Sequence, residues 1–444
     1  MNPKKLFIKR DWFLLPFAFI FILVLFNLGL RQLRSQIYFD MDALWPISIV
    51  MPKLPSWQDL LTLLAVVLLF AGFIKLLQNK TVSIVYYLLF LAALILGTNL
   101  FGGIHEGFIF PVKSGGVEYW QDASKIHSVP NFLQNYTLIQ PTLLDHSRVH
   151  PPGAMLFFYY LRQIWDQPIF VSLVILGIGL VGLYLFFKLI SQYVSQKTAL
   201  FTTVLLGLIP AVQIYFLASF DTVILTCFLA CFYFWQHSKS VNKCILSLLF
   251  FTISIFLTFG VLFLIPVLVF DDWQRNKNIS KSIQLLLISL GVIIGANEIL
   301  GYNYLTSFQI AHSFEGPSGF YLLVQPLSYL MTRIEDCLEI LVFAGPFVTM
   351  LLYRALKSLK PWQRPFHLSS TAFTAIVSLL LFFLAGAYYT GETARAALFI
   401  YPFLFILLAK YFEKIKISEI SQLTLLIAVF AQTVLMQLFG FFSW

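Results

Sequence analysis

The sequence predicts an all-α polytopic membrane fold with about 11–13 membrane helices and an external loop bearing short interfacial helices. Three observations predict it. Of the 444 residues, 59% are hydrophobic and 11% charged, where an ordinary soluble domain carries about 25% charged residues. At the ~20 residues a helix needs to cross a bilayer, roughly 260 apolar residues fill about a dozen spans and leave no large soluble domain. Those residues also come in runs bounded by short polar segments. Lipid offers backbone amides no partner outside their own segment, so the runs are expected to be helices.

In chain order, the apolar runs lie near residues 12–30, 59–79, 81–100, 152–165, 168–190, 198–217, 222–236, 244–270, 282–300, 326–353, 368–388, 396–411 and 422–442. The start is basic and then apolar without a small-residue cleavage site, so it reads as a retained first span. Basic residues set the orientation: Lys4, Lys5, Lys9 and Arg10, then Lys75 and Lys80, Arg275 to Lys281, Arg354 to Arg364 and Lys410 to Lys416 are expected at the cytoplasmic side. Loops 101–151, 301–325 and 389–395 then face outward. Strict alternation between 152 and 270 would put Lys188, Lys197, Lys239 and Lys243 outside and Asp221 inside. The positive-inside rule is met if 152–165 enters without crossing and 244–270 breaks near Gly260 and turns back. Asp221 then joins the external loops.

The net charge of +9 lies mostly in those short runs. It suits anionic lipid headgroups and offers no contiguous face for nucleic acid. Cys227, Cys231, Cys244 and Cys337 sit in apolar stretches without metal or redox spacing. They read as small buried hydrophobes.

The longest hydrophilic stretch, 101–151, carries Glu106, Glu118, Asp122, His127, Asp145, His146, Arg148 and His150. Glu118 and Asp122 stand four residues apart and share a face if the segment is helical. Two such carboxylates repel, so one is a candidate proton acceptor for a hydroxyl, or the two share a cation; the plainer reading is a solvated polar face. The stretch ends in His150-Pro151-Pro152-Gly153. Proline keeps His150 out of the helical region and Pro152 suits a first helical turn, so His150 is held at the mouth of an apolar helix with His146 and Arg148 nearby. These three are candidates for binding a phosphate, the alternative being a rigid loop-to-helix joint. Asp221 stands between two apolar runs, where an N-cap is its simplest role and catalysis the sharper one. His312 and Glu315 are polar residues of the next loop. Glu392 and Arg395, three apart, form either a local ion pair or a phosphate clamp.

The order of these features resembles the GT-C superfamily of integral-membrane glycosyltransferases, which includes protein O-mannosyltransferases and aminoarabinose transferases. The likeness rests on a long external loop with an early acidic residue, His150-Pro151-Pro152-Gly153 before an apolar helix, and Asp221 about seventy residues later; the stretch from Gly391 to Pro402 is similar to that of related bacterial membrane proteins. It covers most of residues 81–412, leaving 1–80 as added N-terminal helices and 413–444 as a C-terminal helix. The resemblance implies inverting transfer of a sugar from a polyprenyl-phosphate donor to a glycan, lipid or protein acceptor at the external face of a cell membrane. It assigns the base to Glu118, with Asp122 close behind, although the family's Asp-Glu pair is here Val117-Glu118. Arg395, His150, His146, Arg148, Glu392 and His312 then line the donor or acceptor. No metal is required; Glu118, Asp122 and Asp221 would hold one if they converged. Two rivals use the same composition: a multi-pass transporter, with ionisable groups along a path through the protein, and a non-catalytic assembly subunit.

Overall fold

The computed structural model describes residues 50–78, 83–113, 119–237, 240–315, 319–360, 367–387 and 391–442, with scattered positions before residue 50. The expected first span over 12–30 lies largely outside the described residues, as do Lys4, Lys5, Lys9, Arg10, Lys80, Glu118, Lys239 and Arg364.

The described chain is almost wholly helical. Its main helices are α1 (Trp57–Gln78), α2 (Ile84–Thr98), α3 (Pro152–Ile164), α4 (Pro168–Ile190), α5 (Gln196–Leu208), α6 (Pro210–Tyr215), α7 (Asp221–Gln236) and α8 (Val241–Leu257). They continue with α9 (Leu264–Asn276), α10 (Ser280–Leu300), α11 (Tyr304–Glu315), α12 (Pro326–Ala344), α13 (Pro346–Leu359), α14 (His367–Leu384), α15 (Tyr401–Ile415) and α16 (Glu419–Phe439). Two-residue strands β1 (Met51–Pro52) and β2 (Gly440–Phe441) pair antiparallel. Prolines open α3, α4, α6, α12 and α13, where a missing amide hydrogen costs nothing. Side chains of Ser83, Ser195 and Ser418 cap others. Lys277, Lys360 and Lys416 end α9, α13 and α15 in the left-handed region, setting positive charge against the negative pole of each helix.

Among the described residues, four helices are long and apolar enough to cross a membrane: α1, α4, α10 and α16. A fifth span results if α12 and α13, bent by 108° at Gly345, are taken together. Shorter apolar helices are α2, α7, α8 and α14. α1 and α10 leave most of their apolar side chains exposed, Leu64, Leu68, Leu287 and Ile294 among them. Such helices would aggregate in water and are at home in lipid. α7 and α15 are buried on nearly all sides and form the centre of the bundle. α4 approaches α7 through Gly179 and Gly182: a Cβ at either would stand 2.7 Å from Phe216, Thr222 or Thr226 atoms.

Contacts sort the helix ends into two groups. At the basic end, Lys197 pairs with Glu419, Ser195 bonds Glu413, Lys410 bonds the Tyr193 carbonyl and Lys414 that of Ser358. Arg275 donates to the carbonyls of Gln236 and Trp235. At the other end, the loop end, β1 meets β2, Asp59 accepts from the Gly102 amide, Ser172 bonds the Phe108 carbonyl and Arg395 pairs with Asp221. Lys197 and Asp221 therefore stand at opposite ends, joined by α5 and α6. α8 leaves the basic end and α9 returns to it, with the chain reversing through a 3-10 turn at Phe259–Phe263. This is the break expected near Gly260. Helix α3 stays with the loop: Arg162 at its far end donates to the Trp120 carbonyl (2.7 Å) and lies over the Trp120 ring. Gly153 lets its start come close to α8, because a Cβ there would sit 2.2 Å from the Phe256 carbonyl oxygen.

Candidate functional site

The loop 101–151 folds into short helical turns whose buried polar side chains fix the backbone of residues 144–150. Asp122 accepts from the Leu144 amide (3.0 Å) and pairs with Lys125 (2.7 Å). Tyr136 donates to the His150 carbonyl (2.7 Å), and Gln140 reaches the carbonyls of Arg148 (2.8 Å) and Ser307 (3.0 Å). Burial holds the Tyr136 hydroxyl well above its ordinary pKa, so it remains a donor. A second short segment, Glu392–Ala396, is held from below by α12. Thr393 donates its amide to Glu339 (2.7 Å) and its hydroxyl to Asp336 (2.7 Å), while Arg333 pairs with Asp336 (3.2 Å).

These two scaffolds, with the start of α7, bring four sequence-predicted residues together. Arg395, 5% exposed, pairs with Glu392 at 2.6 Å and, more loosely, with Asp221 at 3.4 Å. His146 Nε2 stands 3.3 Å from Arg395 Nη2 and 3.6 Å from Glu392. Arg395 Nη1 is buried and has no hydrogen-bond partner among the described residues. A buried guanidinium with an unspent donor is an anion-binding feature. Despite its burial, Arg395 is raised above its ordinary pKa by Glu392 and Asp221. Glu392 is held down to about 2: the neighbouring Arg395 and the hydrogen bond from His146 outweigh a large desolvation cost.

His150 belongs to the same cluster through Tyr119. The Tyr119 hydroxyl lies 3.0 Å from His150 Nδ1, which is also 3.0 Å from the His146 carbonyl. The Tyr119 ring faces His146, His150, Phe158 and Phe220. Burial lowers His150 to about 4, so at neutral pH it is an uncharged imidazole that orients by hydrogen bonding. Arg148 pairs with Asp145 (2.5 Å) and stacks on Phe314. Glu315, at the end of α11, is raised by burial to about 7, with the charges of His146, Glu392 and Arg148 also acting on it.

The other expectations fare differently. Glu118 lies outside the described residues; its neighbour Tyr119 is in the cluster. Asp122 spends one carboxylate oxygen on Lys125 and the other on Leu144, so it braces the loop that carries His146. His312 is exposed on α11 and stacks on Phe308. Asp221 is the first residue of α7 and not its N-cap: the capping position is Phe220, and the carboxylate turns to Ser219 and Arg395. Cys227 and Cys231 are buried, and Cys244 and Cys337 are partly so. Among the described residues no group of three His, Cys, Asp or Glu side chains is arranged to hold a metal ion.

Sequence reasoning missed the buried acids of α12, Glu335, Asp336 and Glu339. The available signal was their number: three carboxylates within five residues of an apolar helix. Compared with known proteins, the chain matches no protein-family model and no curated protein.

Proposed function

We propose that the chain is a multi-pass glycosyltransferase that moves a sugar from a polyprenyl-phosphate donor to a hydroxyl acceptor at the external face of a cell membrane. The observation that carries it is Arg395, buried between Asp221, Glu392 and His146 with Nη1 unspent, at the end of the bundle opposite the Lys197–Glu419 pair. In this reading the shorter apolar helices cross with the long ones, α5 with α6, α9 and α15 bring the total to about a dozen crossings, and the loop end faces outward.

The donor's lipid phosphate binds Arg395, whose two carboxylates hold the guanidinium in place. The loose Asp221 pairing leaves the fork able to turn toward a phosphate oxygen. An acceptor hydroxyl oxygen attacks the anomeric carbon, the bond from that carbon to the phosphate oxygen breaks, and its electron pair stays on the phosphate. A carboxylate takes the hydroxyl proton, the role carried over to Glu118, and the anomeric centre inverts. Arg395 and the Arg148 side stabilise the charge that develops on the departing phosphate. The test is incubation of the purified protein with a panel of polyprenyl-phosphate sugars and an acceptor mixture, reading release of free polyprenyl phosphate. No release with any donor above the level of an Arg395→Ala variant would remove the transferase reading.

A transporter remains the second reading, because one observation favours it. The α12–α13 pair is a helix broken by 108° that carries three buried carboxylates, as the discontinuous helices of carriers do. Two of those carboxylates are engaged in holding Thr393, which favours a supporting role. Solute uptake into proteoliposomes that is lost in Glu335→Gln, without any lipid-phosphate release, would establish the carrier instead.

A further inference from the structure

Stood upright, the 19 residues of α12 would cover roughly 27 Å of depth, close to a whole hydrocarbon core. Its contacts forbid that, because from Tyr329 to Phe343 it meets residues of the loop end. The Tyr329 hydroxyl donates to the carbonyls of Phe383 and Leu384 at the end of α14, both at 2.8 Å. Arg333 reaches the carbonyls of Phe383 (3.1 Å) and Ala387 (2.7 Å). Asp336 and Glu339 hold Thr393, and Tyr401, the first residue of α15, donates to the Ile340 carbonyl (3.2 Å). The Phe343 ring lies 5.6 Å from that of Tyr215 and 5.5 Å from that of Phe442, which follows β2. The descent belongs to α13, which turns away by 108°. Thr349 and Gln432 bond the Leu341 (3.0 Å) and Val342 (3.1 Å) carbonyls at the bend, and Ser358 near the end of α13 receives Lys414 at the basic end.

The two faces of α12 are the reverse of those of a helix lying in water. Leu327, Leu330 and Ile334, at i, i+3 and i+7, form an exposed stripe, and the half-buried Leu338 and Leu341 continue it. The turn before α12 adds exposed Leu323 and Val324. Thr332, Glu335, Asp336 and Glu339 occupy the opposite face and are buried. In water a helix gains by turning carboxylates out and leucines in, so this arrangement is favourable where the outside is hydrocarbon. A neighbour says which hydrocarbon. Leu381 and Leu384 of the apolar helix α14 are exposed as well, and Tyr329 binds the Leu384 carbonyl, so the stripe continues a lipid-facing surface.

We infer that α12 lies flat in the leaflet at the loop end, with its Leu327, Leu330 and Ile334 stripe seated among the acyl chains just below the headgroups, about 5–10 Å deep as amphipathic helices on a membrane surface lie. The inference needs a bilayer around the bundle and does not need the transferase reading. It gives the segment that carries Arg395 a support in contact with lipid: the acyl chains meet one face of α12 and Thr393 meets the other.

Photo-crosslinking of the unaltered full-length protein in phosphatidylcholine–phosphatidylglycerol vesicles tests it. One probe lipid carries a diazirine near the glycerol end of an acyl chain, a second carries it near the methyl end, and adducts are mapped by mass spectrometry. On Leu327, Leu330, Ile334 and Leu341 the shallow probe should outnumber the deep one at least fivefold. Helix α10 supplies the crossing standard: exposed Leu290 near its middle should favour the deep probe and exposed Ile299 at its loop end the shallow one. An upright α12 would separate Leu327 from Leu341 by roughly 21 Å of depth. A ratio that swings from shallow to deep between those two would therefore overturn the inference. So would an unlabelled stripe beside a labelled α10, because protein, such as a second copy of the chain, would then cover it. Shallow labelling of α12 in a protein that releases no polyprenyl phosphate keeps this inference and loses the transferase reading.

Discussion

Helix α7 has an aspartate–arginine pair at each of its ends, and the two pairs are built differently. At the basic end, Asp271 accepts from Trp235 (3.0 Å), Gln236 (2.6 Å), Thr371 (3.2 Å) and Arg275 (2.9 Å). Arg275 in turn spends Nη1 and Nη2 on backbone carbonyls at 2.8 and 2.9 Å. Each guanidinium nitrogen of Arg275 and each carboxylate oxygen of Asp271 has a partner within the protein. At the loop end, Arg395 holds Asp221 only at 3.4 Å and leaves Nη1 unspent. A saturated network rigidifies; an unsaturated buried guanidinium retains capacity for a ligand. The comparison separates a structural knot from a site by hydrogen-bond accounting, where the residue types are the same.

The largest effect is expected at the knot. Asp271→Ala leaves Arg275 without its carboxylate in a buried network, which costs about 3–5 kcal/mol; thermal unfolding in detergent should show the loss, and an unchanged midpoint would erase the distinction between the two ends. Next come two glutamates of the loop-end cluster, whose pH dependences should have opposite sign. Glu392 is depressed to about 2, so its stabilisation is present above its unfolded value near 4.5 and is lost as pH falls from there toward 2. Glu392→Gln should therefore destabilise at pH 7, by up to about 3 kcal/mol, and much less at pH 3. Glu315 is raised to about 7, so ionising it costs stability progressively as pH rises from about 4.5 to 7, and the penalty stays constant above that. Glu315→Gln should raise the unfolding midpoint at pH 8 and leave it unchanged at pH 4; the same sign for both variants would count against the cluster's electrostatics.

Arg395→Lys keeps the charge but removes the planar fork. Release of polyprenyl phosphate should fall about 100-fold while stability changes little, since Lys cannot engage a phosphate in bidentate fashion. Arg275→Lys should do the reverse, lowering stability and leaving the per-molecule rate of the folded fraction alone. The smallest effect belongs to Gly153→Ala, where the added Cβ meets a backbone oxygen and forces α3 away from α8; about 1–3 kcal/mol of stability should be lost. A midpoint equal to that of the unaltered protein would mean the glycine serves no packing purpose.

Much of this molecule was legible before any coordinates. Apolar runs mark the helices because the hydrocarbon core admits little else, and lysine placement sorted their ends correctly for the contacts that join Lys197 to Glu419 and Arg275 to Gln236. Glu392, Arg395, Asp221 and His146 were recognisable one at a time, each being an ionisable group expensive to keep in such a chain.

Their partnership was not legible, nor was the bracing task of Asp122 or the hold of Asp336 and Glu339 on Thr393. Residue type and spacing report what an element is made of, because helical periodicity and the cost of burying charge act locally. Which acid meets which base across 174 positions of chain, as Asp221 meets Arg395, or 246, as Glu392 meets His146, depends on how the helices cross and where small residues let them approach. Only the packed bundle decides that, since the free energy of each pairing exists only once both partners have left water together.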